Sequence, residues 1–218
     1  MAGNKRQRTA LFSVYEGDRE FGLETLAQYL VTLGWNILAS SGTAKFLKEK
    51  GVERVRDVAE LVGEPILGHR VVTLSREIHA GLLAREDKPE DMTELERIGV
   101  PFIDLVYVTL YPLAEEVNRP EATLQSVLEK TDIGGPTLIR SAAKGRRLVV
   151  VHPNQFDGVM MIARGLFLED NEQPVRGKPN LDPFLSALAA DAERLVSVYC
   201  QVSSVFHHRV SESVKRRK

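Results

Sequence analysis

The residue types best suited to chemistry in this chain lie in Asp132-Ile133-Gly134-Gly135-Pro136, with Thr137 to Lys144 behind them. An acid stands before two residues that have no side chain to obstruct a ligand. Pro136 suits the first turn of a helix, where a missing N–H is not needed. Such a helix start offers free backbone N–H groups and a positive dipole end, which suits an anion. Lys144 falls near the far end of that helix, before a plausible stop at Gly145. The same pattern also describes a Gly-Gly turn ahead of an ordinary surface helix, and the segment alone leaves both readings open.

The elements that must position this segment alternate in type. Thr9 to Val14 reads as a buried strand, Leu23 to Leu33 as a helix and Trp35 to Ala39 as a second strand. Ser40-Ser41-Gly42-Thr43 turns into a helix running to Lys50, and a third strand is expected around Val55. Arg70 to Leu74 fits a strand or an extended loop, Ile78 to Leu83 a short helix, and Pro89 to Ile98 a polar helix. Phe102 to Leu110 is the strongest strand, apolar and β-branched as a central parallel strand requires. Arg147 to Val151 is another, and helices follow over Gln155 to Leu168 and Asp182 to His208, with a loop at Arg176 to Asn180. This alternation predicts an α/β fold with a mainly parallel sheet. Ligands in such sheets collect outside the carboxyl ends of the strands. That edge would gather Ser13, Ser41, Gly42, Thr43, Thr109, Tyr111 and His152. Hydroxyls there suit a phosphate, and the same residues are ordinary helix caps. No Gly-Lys-Ser/Thr follows the turn, so it is not a P-loop.

With 218 residues, 43% of them hydrophobic, the chain can bury a sizeable core. A formal charge of -1 argues against a polyanion-binding surface, so no nucleic-acid partner is expected. Basic residues gather at the ends, which predicts solvated tails at 1–8 and 211–218 around one domain at 9–210. One cysteine, Cys200, excludes an internal disulfide or a multi-Cys zinc site and is expected to be a small buried residue. His207-His208 has no acidic or Cys neighbour, and no metal is predicted. Without a signal peptide or an apolar run able to span a membrane, a cytoplasmic protein is expected.

Several blocks occur together in a known order: Ala10 to Val14, Ser41-Gly42-Thr43-Ala44-Lys45, Arg70 to Leu74, Ile78-His79-Ala80-Gly81-Leu82-Leu83, Leu110-Tyr111-Pro112 and Asp132 to Lys144. On these the chain resembles the N-terminal inosine monophosphate cyclohydrolase domain of the bifunctional purine-biosynthesis enzyme that also carries a formyltransferase domain. The resemblance implies a methylglyoxal-synthase-like, three-layer α/β/α fold. It also implies closure of 5-formamidoimidazole-4-carboxamide ribotide to inosine monophosphate with loss of water, with no cofactor. A purine ribonucleotide substrate, a homodimer and a separate formyltransferase are the partners that follow. The residues implied as catalytic are Asp132 and Lys144 for acid/base and charge-stabilising work, Tyr111 near the formyl group, and Thr73. Ser13, Ser41, Gly42 and Thr43 would hold the 5′-phosphate. Arg19 would stand in for the family's phosphate-binding lysine. Arg70, Thr109, Gly134 and Gly135 would line the rest of the pocket.

The departures from that family fall inside the site. Its Lys-Thr pair is Val72-Thr73 here, its His-Pro-Lys is Ser75-Arg76-Glu77, and its Asn before Leu-Tyr-Pro is Thr109. Arg76 is the cation close enough in sequence to compensate for Val72 if its loop folds back. A helix rising ~1.5 Å per residue would also carry Lys144 roughly 13 Å from Gly135. The competing expectation is therefore a non-enzymatic module of the same fold that binds a purine ribotide or phosphate. Leu185, Leu188, Leu195, Val196, Val198 and Val202 give the last helix an apolar side, for a partner or for the sheet.

Overall fold

The computed structural model describes residues 6–68, 70–170 and 180–215. Short runs of apolar and β-branched residues form five strands: Thr9–Ser13 (β1), Asn36–Ala39 (β2), Val55–Asp57 (β3), Leu105–Val108 (β4) and Leu148–Val150 (β5). They make one sheet in the order β3-β2-β1-β4-β5, with every neighbouring pair parallel. Strand order reverses between β1 and β4, so a crevice opens at their carboxyl ends. All of β4 is buried, as a central parallel strand requires. It is shorter than the apolar run that contains it. Single bonds from the Asp104 amide to Thr9 and from the Thr109 amide to Ser13 continue the pairing at either end.

Amphipathic helices cover both faces. Leu23–Thr32 (α1) and Ser41–Glu49 (α2) connect the first strands, and right-handed crossovers put them on one face. After β3 come Ala59–Val62 (α3), Arg76–Leu83 (α4) and Pro89–Arg97 (α5). Leu113–Asn118 (α6), Leu124–Lys130 (α7) and Gly134–Lys144 (α8) link β4 to β5. Phe156–Asp170 (α9) returns to pack on α1, while Asp182–Lys215 (α10) runs along α8, β5 and α6. The result is the expected three-layer α/β/α arrangement. Among the described residues, no helix is long and apolar enough to cross a membrane.

Several local expectations need correction. Helix α8 begins at Gly134, two residues before Pro136, so both glycines lie inside its first turn. Proline is tolerated third in that turn because its N–H would be unpaired anyway. For Arg70 to Leu74, of the two expectations the loop is the one found, tied by one antiparallel bridge between Ile66 and Val71. The amino end is no solvated tail from Arg6 onward: Arg6 and Arg8 both pair with the buried Asp104 carboxylate. At the other end α10 continues to Lys215, inside the expected tail. Cys200 is exposed, because α10 turns Tyr199 inward. Helices α6 and α7, between β4 and Asp132, have no counterpart in the sequence pattern. Residues 176–179 of the expected loop, with Lys5 and 216–218, lie outside the described residues.

Candidate active site

Asp132 ends the link between α7 and α8, and its Oδ1 accepts a hydrogen bond from the Gly135 N–H at 3.0 Å. Ile133, at the cap position, has no side chain able to do this, so the acid one residue earlier satisfies the helix start. Both glycines are required by close approach. A Cβ on Gly134 would sit 2.9 Å from the Thr73 Oγ1, and one on Gly135 would run into the Asp132 carboxylate and Leu110. Thr73 is thereby brought to the Asp132 segment from a loop about sixty residues earlier. Burial pushes the Asp132 carboxyl above its ordinary pKa, while the Gly135 and Gly134 N–H groups pull the other way. A carboxyl held closer to neutrality in this manner suits proton transfer in either direction.

Tyr111 leaves the end of β4 beside this group. Its phenol is raised by burial first and then by the Asp132 charge, with Arg19 acting in the opposite sense. Tyr15 packs edge-on to it, ring centroids 5.6 Å apart. The Tyr15 amide in turn donates to Thr109 Oγ1 at 2.9 Å, which fastens the β1 loop to the end of β4. Thr109 therefore gives one acceptor site of its hydroxyl to the backbone, and its O–H remains able to donate.

The second group of expected site residues lies where β1 and β2 finish. Helix α2 starts at Ser41 with no side-chain cap, which leaves the N–H groups of Ser41, Gly42 and Thr43 without helical acceptors. Arg19 lies directly over Gly42: a Cβ there would be 2.7 Å from Arg19 Nη2. Its Nε is anchored on the Val14 carbonyl at 3.2 Å. Ser13 closes β1 at the same edge. The Thr43 hydroxyl is not a free ligand. It is fully buried, accepts from the Val14 N–H at 3.1 Å and donates to the Val14 carbonyl at 3.2 Å. Ser41 directs its hydroxyl to Asp57 Oδ1 at 3.1 Å. What this turn offers an anion is backbone N–H groups and one guanidinium.

A match over residues 22–137 to the family described as MGS-like domain agrees with this sheet and its carboxyl-edge site. The chain belongs to the MGS-like domain family. This MGS-like domain is similar to the bifunctional purine biosynthesis protein PurH of Thermosynechococcus vestitus, 41% identical over 194 residues, covering 87% of this chain and 35% of the relative. The PurH of Persephonella marina is 42% identical over 156 residues, covering 70% and 29%. The chain thus spans only 29–35% of the length of these curated relatives. A solved structure, the crystal structure of ForH, superposes with a TM-score of 0.73 at 31% identity, covering 93% of this chain and all 100% of that one.

Not every expected residue reaches the site of this MGS-like domain. Lys144 is exposed in the last turn of α8 and lines a cavity of about 1080 Å³ with Arg6, Arg8, Arg146 and Arg147. The eleven residues of α8 run from the carboxyl edge of the sheet to its amino edge, setting Lys144 apart from Asp132. Arg70 is exposed and donates from Nε to the Leu67 carbonyl at 2.7 Å, back onto its own loop. Arg76 does not compensate for Val72: it is 81% exposed and pairs with Glu77. Val72 itself packs half-buried against the main core. Two residues escaped sequence reasoning. Tyr15 forms the wall beside Tyr111, and Tyr199 donates from its phenol to the Lys130 carbonyl at 3.1 Å while accepting the Asp132 N–H at 2.7 Å. A signal for the second existed, since Tyr199 continues the buried stripe Leu188, Ala192, Val196, and a buried phenol needs a partner.

Proposed function

We propose that this chain closes 5-formamidoimidazole-4-carboxamide ribotide to inosine monophosphate, an inosine monophosphate cyclohydrolase activity in purine biosynthesis. One observation carries the reading. A half-buried carboxyl (Asp132), a buried hydroxyl (Thr73) and a partly exposed phenol (Tyr111) lie at one side of the crevice, and Arg19 with the start of α2 forms a cationic side next to it. Similarity to the PurH proteins supports the same reaction class.

In the reaction, the carboxamide nitrogen adds to the formyl carbon and gives up one proton as the formyl oxygen takes one. Water then leaves as the formamido nitrogen loses its proton, giving the new ring double bond. Asp132 is suited to accept and return those protons, because burial has moved its carboxyl toward the working pH. Tyr111 is suited to donate to the formyl oxygen as negative charge develops there, its phenol being held protonated by burial and by Asp132. Arg19 and the Ser41–Thr43 N–H groups would hold the 5′-phosphate, fixing the reacting end by position. Purified protein given the formamido ribotide should form inosine monophosphate above the spontaneous rate. Folded protein that leaves the background rate unchanged would sink the proposal.

Val72 supports a second reading, a ribotide-binding module that has lost turnover, because an apolar side chain packed on the core stands where the resemblance places a lysine, and Arg76 turns away to Glu77. Its signature is a saturable rise in thermal midpoint with inosine monophosphate and no ring closure. Absence of any midpoint shift with ribotides or sugar phosphates would exclude it.

A further inference from the structure

The Asp132 main chain is held from outside the sequence range that defines the family. The phenol of Tyr199 on α10 bridges two backbone groups on either side of Thr131: it accepts the Asp132 N–H at 2.7 Å and donates to the Lys130 carbonyl at 3.1 Å. The ring is 9% exposed and lies in an apolar cluster with Leu113 and Val127 from α6 and α7. This is an expensive place for a hydroxyl unless both of its bonds are made. Phenylalanine would fill the same space. The hydroxyl therefore serves the backbone it bridges, which is the exit of α7 and the residue before α8. Tyr199 lies beyond residues 22–137, so α10 supplies a part the common domain does not contain.

We infer that Tyr199 is a positioning residue for Asp132, locking the α7–α8 junction so that the carboxylate stays on the Gly135 N–H and beside Thr73. This rests on Asp132 being the proton-transfer group of the proposed reaction. Two tethers define the carboxylate's place: Gly135 from the helix start holds the side chain, and Tyr199 holds its main chain. Releasing the second lets the junction move and water enter. The ionisable groups whose charge acts across this junction are Asp132, Tyr111, Tyr199 and Cys200, with Arg19, Glu16 and Tyr15 acting on Tyr111 from the β1 side. Displacement of about an ångström is enough to cost roughly a hundredfold in rate.

The test is Tyr199→Phe in the full chain, with the Asp132 carboxyl titrated by carbon-13 NMR and assigned with Asp132→Asn. The expected result is that the Asp132 midpoint falls toward the ordinary carboxylate range as the site admits water. On the formamido ribotide, kcat should fall by roughly tenfold or more while KM changes little, because the phosphate end is untouched. An unchanged Asp132 titration in a folded Tyr199→Phe protein overturns the inference. So does a variant that loses thermal stability yet keeps kcat. Because the titration needs no turnover, an inactive parent would refute the proposed reaction and leave this test standing. Should Tyr199→Phe fail to fold, amide hydrogen exchange on the parent decides. The Asp132 N–H is expected to be slow to exchange, and rapid exchange overturns the inference.

Discussion

Asp132 carries a half-buried carboxyl whose partial loss of solvent holds its proton more tightly in the folded chain than in an unfolded one. A raised folded pKa contributes stability that is fully present below the ordinary carboxylate value and is lost as pH rises through the folded value. At neutral pH the ionised group is therefore a liability for folding. Asp132→Asn removes that charge and keeps an oxygen for the Gly135 N–H. Its thermal midpoint should gain on the parent's as pH goes from acid to neutral, each kcal/mol appearing as about 2–4 °C for a chain of this size. A constant difference across pH would contradict this account of the carboxyl. Gly135→Ala tests the neighbouring contact. Alanine is favoured over glycine in a helix by about 1 kcal/mol, and overpacking a tight site costs about 1–3 kcal/mol. The added methyl would meet both Asp132 and Leu110, so overpacking should win, lowering the midpoint and ring closure together. A stabilised, fully active variant would show that the glycine is not needed for close approach.

Each half of the site depends on a helix start. Helix α4 follows Thr73, and the Ser75 Oγ accepts the Ile78 N–H at 3.1 Å as its cap. Ser75→Ala should cost about 1 kcal/mol of stability, measurable by urea unfolding, and loosen the loop that delivers Thr73. At α2 the open N–H groups lie under Arg19, the end proposed above to hold the 5′-phosphate. Arg19→Ala should weaken phosphate-bearing ligands by roughly tenfold or more, the value of a charge-assisted bond, and leave kcat near the parent's. An unchanged KM would remove Arg19 from the phosphate site. Much of this level could be read in advance, because strands and helices of short range announce themselves by periodicity and by glycine and proline stops. Asp132-Ile133-Gly134-Gly135 announces a helix start by residue types alone, while the carboxylate that caps it is supplied by the segment's own Asp132. Helices α6 and α7, six and seven residues long, carry too few turns for a clear apolar period. Thr43 shows a different limit: its hydroxyl is consumed by Val14, twenty-nine residues earlier, a pairing that spacing does not reveal.

Across the molecule, the described residues nearest either end, from Arg6 onward and along α10, are structural parts. Asp104 is buried at the amino edge of the sheet and receives Arg6, Arg8 and the Thr9 N–H. The guanidiniums of Arg6 and Arg147 lie over the Phe102 ring, at 4.2 and 3.8 Å. Removing one partner of such a buried cluster strands the others, so Asp104→Ala should lose about 3–5 kcal/mol by urea unfolding. A loss under 1 kcal/mol would make Arg6 and Arg8 surface decoration. These contacts span about a hundred residues, and composition alone suggested a solvated basic arm instead. Lys144 shows the same lesson in reverse: the resemblance associated it with Asp132, while the length of α8 takes it to the opposite edge of the sheet. Helix α10 closes the structure by returning Tyr199 to the Asp132 junction, so the site depends on the chain well past the common domain. The central claim is that this assembled edge performs ring closure. The purified 218-residue chain should convert 5-formamidoimidazole-4-carboxamide ribotide to inosine monophosphate above the spontaneous rate, with Asp132→Asn reducing the rate by about a hundredfold or more while remaining folded. Conversion at the background rate by folded protein, or equal conversion by Asp132→Asn, would contradict it.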